Sequence, residues 1–171
     1  AAMGFPEKGP NKYNTPGSLT AAVAVGMFFN PQRLTPPQVG ELAAQIVCLT
    51  HGDPTAFLSA AVLAYAITGI LMEPQLPLDK QFTAAISAMR HQYRSKYTEA
   101  DTVAQVLSAA VSRAKAAEPM GEVMESFQCY SAMTCLAGAF YASLANRDDF
   151  DTGKWENFVG SMYTYIANYP Q

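Results

Sequence analysis

Apolar positions along this 171-residue chain recur at helical spacing in one segment after another, and one segment differs by being apolar on every side. From Pro54 to Met72 there is no Asp, Glu, Lys or Arg. Asp53, just before it, is a good N-cap residue, because its carboxylate can accept from backbone N–H groups one turn on. Pro54 falls where a helix tolerates proline best, at its first position. The pattern predicts a sharply started helix of about five turns, roughly 28 Å long at 1.5 Å per residue. A helix apolar all round belongs in the middle of a fold.

The other segments supply faces to surround it. Pro16-Gly17-Ser18 starts a first helix, with Ser18 expected as its cap. Its apolar body is Leu19, Ala22, Val23, Val25, Gly26 and Phe29, and Asn30-Pro31 ends it. Thr35-Pro36 repeats the cap-then-proline device ahead of a stripe of Val39, Leu42, Ala43, Ile46 and Val47. After a turn at Glu73-Pro74-Gln75-Leu76-Pro77, the residues Leu78, Phe82, Ala85, Ile86 and Met89 form an amphipathic helix. Its far end, Arg90-His91-Gln92-Tyr93-Arg94, is basic, as suits a helix C-terminus. Thr98-Glu99-Ala100-Asp101 resembles a capping box with Asp in place of Glu and leads into Val103, Val106, Leu107, Ala110, Val111 and Ala114. Glu118-Pro119-Met120-Gly121 breaks that helix. A segment dominated by Ala, Gly and Cys follows from Ser131 to Leu144, and a last one carries Trp155, Phe158, Val159, Met162 and Ile166 on one face. No stretch alternates with period two. The predicted fold is all-α, a multi-helix bundle around a buried central helix at about 54–72. Residues 1–16 are expected as an irregular N-terminal arm and 17–171 as a single domain.

Charge and composition narrow the function classes. Eleven Lys and Arg stand against 14 Asp and Glu, a net charge of −3, without the basic stripe of a nucleic-acid binder. The central run is long enough to raise the question of a membrane span. Its small residues, its Ser59, Thr68 and Gly69, and the lack of closely flanking Lys or Arg favour a buried core helix instead, so no membrane is expected. The odd count of cysteines, Cys48, Cys129 and Cys135, in apolar surroundings suggests reduced core thiols and a cytoplasmic protein. No secretory signal pattern opens the chain.

Candidate chemistry gathers at helix starts. His51 immediately precedes the central helix, at the positive end of its dipole, and two readings stay open. It is a histidine bonded to local backbone, or a donor to a phosphate or ribose group helped by the free N–H groups of that helix. Gly17 and Ser18 form a second such start, where a glycine lets backbone approach a ligand and a hydroxyl plus free amides can hold a phosphate. Asp148, Asp149 and Asp151 are read as a solvated loop that a hard cation could use. Tyr163, Tyr165 and Tyr169 are read as interface or core. There is no phosphate-loop lysine motif, no G-x-G-x-x-G and no G-x-S-x-G elbow.

The order of these segments resembles a known family. Asn14-Thr15-Pro16-Gly17-Ser18-Leu19, a helix, a spacer of about thirty residues, then Leu49-Thr50-His51-Gly52-Asp53-Pro54 and a long small-residue helix are similar to the middle of the ADP-ribosylglycohydrolases. The region from Ser126 through Asn146-Arg147-Asp148-Asp149-Phe150 is similar to that family's approach to its last metal motif, so the likeness covers about 14–151. The resemblance implies an all-α hydrolase that binds ADP-ribose and cleaves its bond to an acceptor side chain, generally with two magnesium ions. It implies Gly17, Ser18 and His51 as ligand contacts. It carries over no metal ligand and no catalytic residue. Leu19-Thr20-Ala21 follows Ser18 where the family has a methionine-arginine pair, and neither terminal metal motif has a counterpart, so magnesium is expected for the family without matched ligands here. Apolar surface left by missing outer helices would invite a second copy or a partner chain. Three functions stay open: a glycohydrolase completed by metal-binding segments, a non-catalytic ADP-ribose or nucleotide-binding module, and a structural or interaction protein.

Overall fold

Asp53 Oδ1 accepts the Thr55 N–H at 2.8 Å, and the helix it caps, α3 (Pro54–Met72), has the predicted bounds. A computed structural model describes residues 11–28 and 33–146. Residues 1–10 of the arm, the Phe29-Asn30-Pro31 stop, the acidic cluster Asp148, Asp149 and Asp151, and the final segment with Trp155 and Tyr163, Tyr165 and Tyr169 lie outside the described residues. Among the described residues there are seven helices and no strand, so the all-α reading holds. Around α3 stand α1 (Ser18–Met27), α2 (Pro36–Cys48), α4 (Leu78–Tyr93), α5 (Glu99–Lys115), α6 (Met120–Phe127) and α7 (Ala132–Ala145).

The central helix is buried continuously from Ala56 to Val62 and touches α1, α2, α4, α5 and α7. Its length and composition would suit a membrane span, yet its small side chains serve here to admit neighbouring helices. Gly40 of α2 lies so close that a Cβ there would be 2.8 Å from Ala61 O, and one at Gly26 of α1 would be 3.0 Å from Ala64 O. The buried hydroxyls are satisfied within the helix. Ser59 Oγ donates to Thr55 O at 2.6 Å and Thr68 Oγ1 to Ala64 O at 2.8 Å, so neither costs an unpaired polar group. At the far end, buried Gln81 of α4 donates to the carbonyls of Gly69 and Glu73 at 3.2 and 2.9 Å, a second bond for each beside the backbone N–H groups of Glu73 and Leu76, and so ties α4 to the C-terminal turn of α3.

Larger side chains close the other side of the bundle. Phe82 of α4 stacks on Phe140 of α7 with ring centroids 3.8 Å apart. Phe57 of α3 meets Tyr97 edge-on at 5.2 Å. Tyr141 of α7 donates to the Glu118 carbonyl, and Arg113 of α5 pairs with Glu118 at 2.6 Å while donating to Ser126 of α6. These contacts hold α5, α6 and α7 as a unit that brings the start of α7 to the same end of the molecule as the start of α3.

Several local expectations change. The N-cap of α1 is Gly17, and Ser18 is the first helical residue, buried, with its hydroxyl turned onto Thr15 O. Thr98 has helical dihedrals and its hydroxyl meets Glu99, not a backbone N–H. Pro119 does not only end a helix. It stands as the N-cap of α6, so Met120 and Gly121 are helical. Cys129 and Cys135 are half-buried beside the α6–α7 connection and are not core thiols, whereas Cys48 is buried as expected.

Candidate functional site

Stretches far apart in sequence meet at the amino end of α3. Asn11 is the stitch: its Nδ2 donates to Thr50 O at 2.9 Å, and its Oδ1 accepts the N–H groups of Gly52 at 3.0 Å and Tyr13 at 2.9 Å. The Asp53 N–H reaches Tyr13 O at 3.4 Å, and the Ala132 N–H donates to Asn14 O at 2.7 Å. The arm from Asn11 to Gly17 is thereby laid across the starts of α3 and α7 before it turns into α1.

At the middle of this junction His51 lies between two hydroxyls. Its Nε2 is 3.0 Å from Thr15 Oγ1 and its Nδ1 is 2.9 Å from Thr50 Oγ1. The Thr50 hydroxyl donates to Val47 O at 3.2 Å, so it accepts from Nδ1–H. In the neutral ring Nε2 is then the acceptor, and the Thr15 hydroxyl donates to it. In the imidazolium form both nitrogens donate, which frees the Thr15 proton for an oxygen anion outside. Thr15 and Gly17 are exposed and His51 is partly so, and this is the polar face open to a ligand.

The helix starts themselves are less available than their sequence implies. In α3, Pro54 has no N–H, Thr55 donates to Asp53 Oδ1, and Ala56 and Phe57 donate to Asp53 O at 3.0 and 3.4 Å. Free amides of the central helix therefore do not assist His51. In α1 the N–H groups of Ser18, Leu19 and Thr20 are taken by the carbonyls of Thr15, Pro16 and Gly17 at 3.2, 3.0 and 3.3 Å. Ser18 Oγ donates to Thr15 O at 3.0 Å. At Gly17 the backbone is ordinary right-handed helix, and an added Cβ would meet only Thr15 Oγ1, at 3.8 Å. Neither conformation nor packing asks for glycine there.

The sequence-predicted residues Gly17, Ser18 and His51 thus come to one end of the molecule, joined through Thr15. Thr15 and Asn11 were not singled out as site residues. Thr15 could have been, since it stands in the same stretch as Gly17 and Ser18. A family model described as ADP-ribosylglycohydrolase matches residues 2–161.

The chain belongs to the ADP-ribosylglycohydrolase family.

No curated protein and no solved structure matches it. The helical architecture agrees with the all-α fold of the ADP-ribosylglycohydrolases. Their magnesium chemistry needs clustered carboxylates. Among the described residues no three of His, Cys, Asp and Glu gather into a group that could hold a metal ion. Asp53, the carboxylate at this end, is committed through Oδ1 to the N–H and hydroxyl of Thr55 at 2.8 and 2.6 Å. The described residues do not fit a magnesium pair.

Proposed function

We propose that this domain binds the ADP-ribosyl group at the amino end of α3, with the diphosphate against Thr15, Gly17 and His51. Cleavage of the bond to an acceptor side chain would then depend on acidic metal ligands outside the described residues. The observation that carries the reading is the 3.0 Å contact between Thr15 Oγ1 and His51 Nε2, which joins the two segments that the family resemblance marks as ligand contacts. With Nε2–H donating behind it, the Thr15 hydroxyl is a donor for a phosphate oxygen, and bonds to an ionised acceptor are the stronger ones. Ser18, in this reading, shapes the turn from inside and does not touch the phosphate.

The test is calorimetric titration of the chain with ADP-ribose, with ribose 5-phosphate and AMP as partial ligands. Saturable binding of ADP-ribose that weakens in Thr15→Val and His51→Ala supports the proposal. Absence of heat and of any melting shift at millimolar ADP-ribose overturns it. A second reading has its own observation: the first amides of α1 and α3 are already satisfied within the protein, which suits a His51 that simply pins the arm. In that case the fold serves a structural or interaction role, and His51→Ala lowers the melting midpoint while ADP-ribose has no effect on either protein. A cytoplasmic location and a second copy or partner chain remain part of the proposal, to be read by fractionation and by sedimentation.

A further inference from the structure

The connection between α6 and α7 is built in an unusual way. Gln128, the C-cap of α6, has φ 57°, and Cys129 after it has φ 46°, so consecutive non-glycine residues take left-handed conformations. Such residues are strained and persist only where the surroundings hold them. The result is a reversal that carries the Cys129 side chain onto the first turns of α7. Its sulfur rests on Gly138, where an added Cβ would come within 3.0 Å of it. Its proton has two acceptors in reach, the Thr134 carbonyl at 3.5 Å and the sulfur of Cys135.

Cys135 is placed to meet it. It lies in the first turn of α7, its N–H bonded to the Ser131 carbonyl at 2.9 Å, and side chains on a helix lean toward the N-terminus, here toward Cys129. The hydrogen bond from Cys129 holds the Cys135 thiol down to about 7, against the opposing effect of burial. A helix start favours a thiolate in the same direction. Both residues are partly exposed, so a small oxidant can reach them, whereas Cys48 is buried and burial pushes its thiol up.

We propose that Cys129 and Cys135 are a redox pair that a hydroperoxide closes to a disulfide. The Cys135 thiolate attacks the outer oxygen of the hydroperoxide and the O–O bond breaks. The alkoxide (or hydroxide) leaves with a proton as alcohol or water, and Cys135 becomes a sulfenic acid. The Cys129 sulfur then attacks that sulfur, the S–S bond forms, and the sulfenic oxygen departs as water with the Cys129 proton. Two thiols lose two electrons, and the hydroperoxide gains them. The pair flanks Ala132, whose N–H holds Asn14 O, so closure acts where α7 grips the arm. Any effect on ligand binding rests on the ADP-ribose reading above. The thiol chemistry does not, so the two fail separately.

The reduced full chain is treated with hydrogen peroxide near stoichiometry, quenched in acid, alkylated, and digested with chymotrypsin, which cuts after Tyr130 between the cysteines. The expected product is a pair of peptides held together until reductant is added, with Cys48 alkylated throughout. Peptides that never join, cysteines found only as sulfinic acid, or bridges only between chains would overturn the proposal. In the unoxidised protein, Cys135 should react with iodoacetamide at pH 7 roughly tenfold or more faster than Cys48. The pH midpoint of its reaction should lie near 7 and move upward in Cys129→Ala. An unmoved midpoint would remove Cys129 as its partner.

Discussion

Replacing Gly40 by alanine sets two known effects against each other, and the contact distance decides between them. Alanine in a helix interior is favoured over glycine by about 1 kcal/mol. At Gly40 the new methyl would lie 2.8 Å from Ala61 O, a backbone oxygen of the central helix that cannot swing aside. Ordinary contact begins at 3.4 Å, so α2 must withdraw by about 0.6 Å, the difference between those distances. Val39, Ala43 and Val47 are fully packed along the same helix, and a gap of that size forfeits roughly a quarter to a half of each dispersion contact it opens. Overpacking of this kind costs about 1–3 kcal/mol, which outweighs the propensity gain and leaves a net loss of about 1 kcal/mol. Gly121 in α6 is the control, since an added Cβ there meets nothing within 4 Å. Gly121→Ala should stabilise by about 0.4–1 kcal/mol. Thermal melts followed by circular dichroism should therefore move in opposite directions, each by about 2–4 °C per kcal/mol for a domain of this size. Gly40→Ala melting at or above wild type would refute the close approach of α2 and α3 on which the position of His51 depends.

Other substitutions probe the site and its support. His51→Ala should weaken ADP-ribose by about 1–2 kcal/mol, between the net worth of a neutral hydrogen bond and that of one to a charged group, measured by calorimetry; unchanged affinity returns His51 to a structural role. Phe82→Ala removes a buried ring stacked on Phe140 and should cost about 3–5 kcal/mol in urea unfolding; a loss under about 1 kcal/mol would show that the stacked pair is not part of the core. Lys115 holds the Asp79 carboxyl below its ordinary value by a hydrogen bond at 2.6 Å. That pair should add about 0.2–1 kcal/mol above the usual carboxylate value, lost as pH falls through the depressed one. Lys115→Met should accordingly differ from wild type at pH 7 and converge with it in acid. Millimolar magnesium should leave the melting midpoint nearly still, and a saturable rise would reveal ligands outside the described residues.

What could be read from the chain alone was whatever depends on neighbours in sequence. Asp53-Pro54 and the charge-free run fix α3 because capping and propensity act within one turn, and Thr35-Pro36 and Ser131 mark helix starts for the same reason. The misreadings share a different cause. Ser18 looks like a cap, but packing turns it inward and leaves the role to Gly17. Asn11 has one local partner, the Tyr13 N–H, but the bonds that make it a stitch go to Thr50 and Gly52 about forty residues away, which no local pattern reveals. Cys129 and Cys135 read as core thiols because nothing in their spacing reveals the left-handed pair that brings them together.

The same distinction bears on how a diphosphate would be held. A helix start attracts anions only while its amides are free, and here Asp53 has already taken that place at α3 while the Thr15–Gly17 turn has taken it at α1. The dipoles still contribute at a distance, but the Asp53 carboxylate offsets much of the field at α3. What is left facing solvent is a hydroxyl–imidazole–hydroxyl chain, Thr15–His51–Thr50, anchored on the Val47 carbonyl. Such a chain transmits: a phosphate oxygen that draws the Thr15 proton outward is served best when Nε2–H donates behind it. Thr15→Val should then cost as much affinity as His51→Ala, and the double variant little more than either, because both remove one connected donor. Full additivity of the two losses would mean separate contacts, and the chain would be a structural brace beside the ligand rather than its grip.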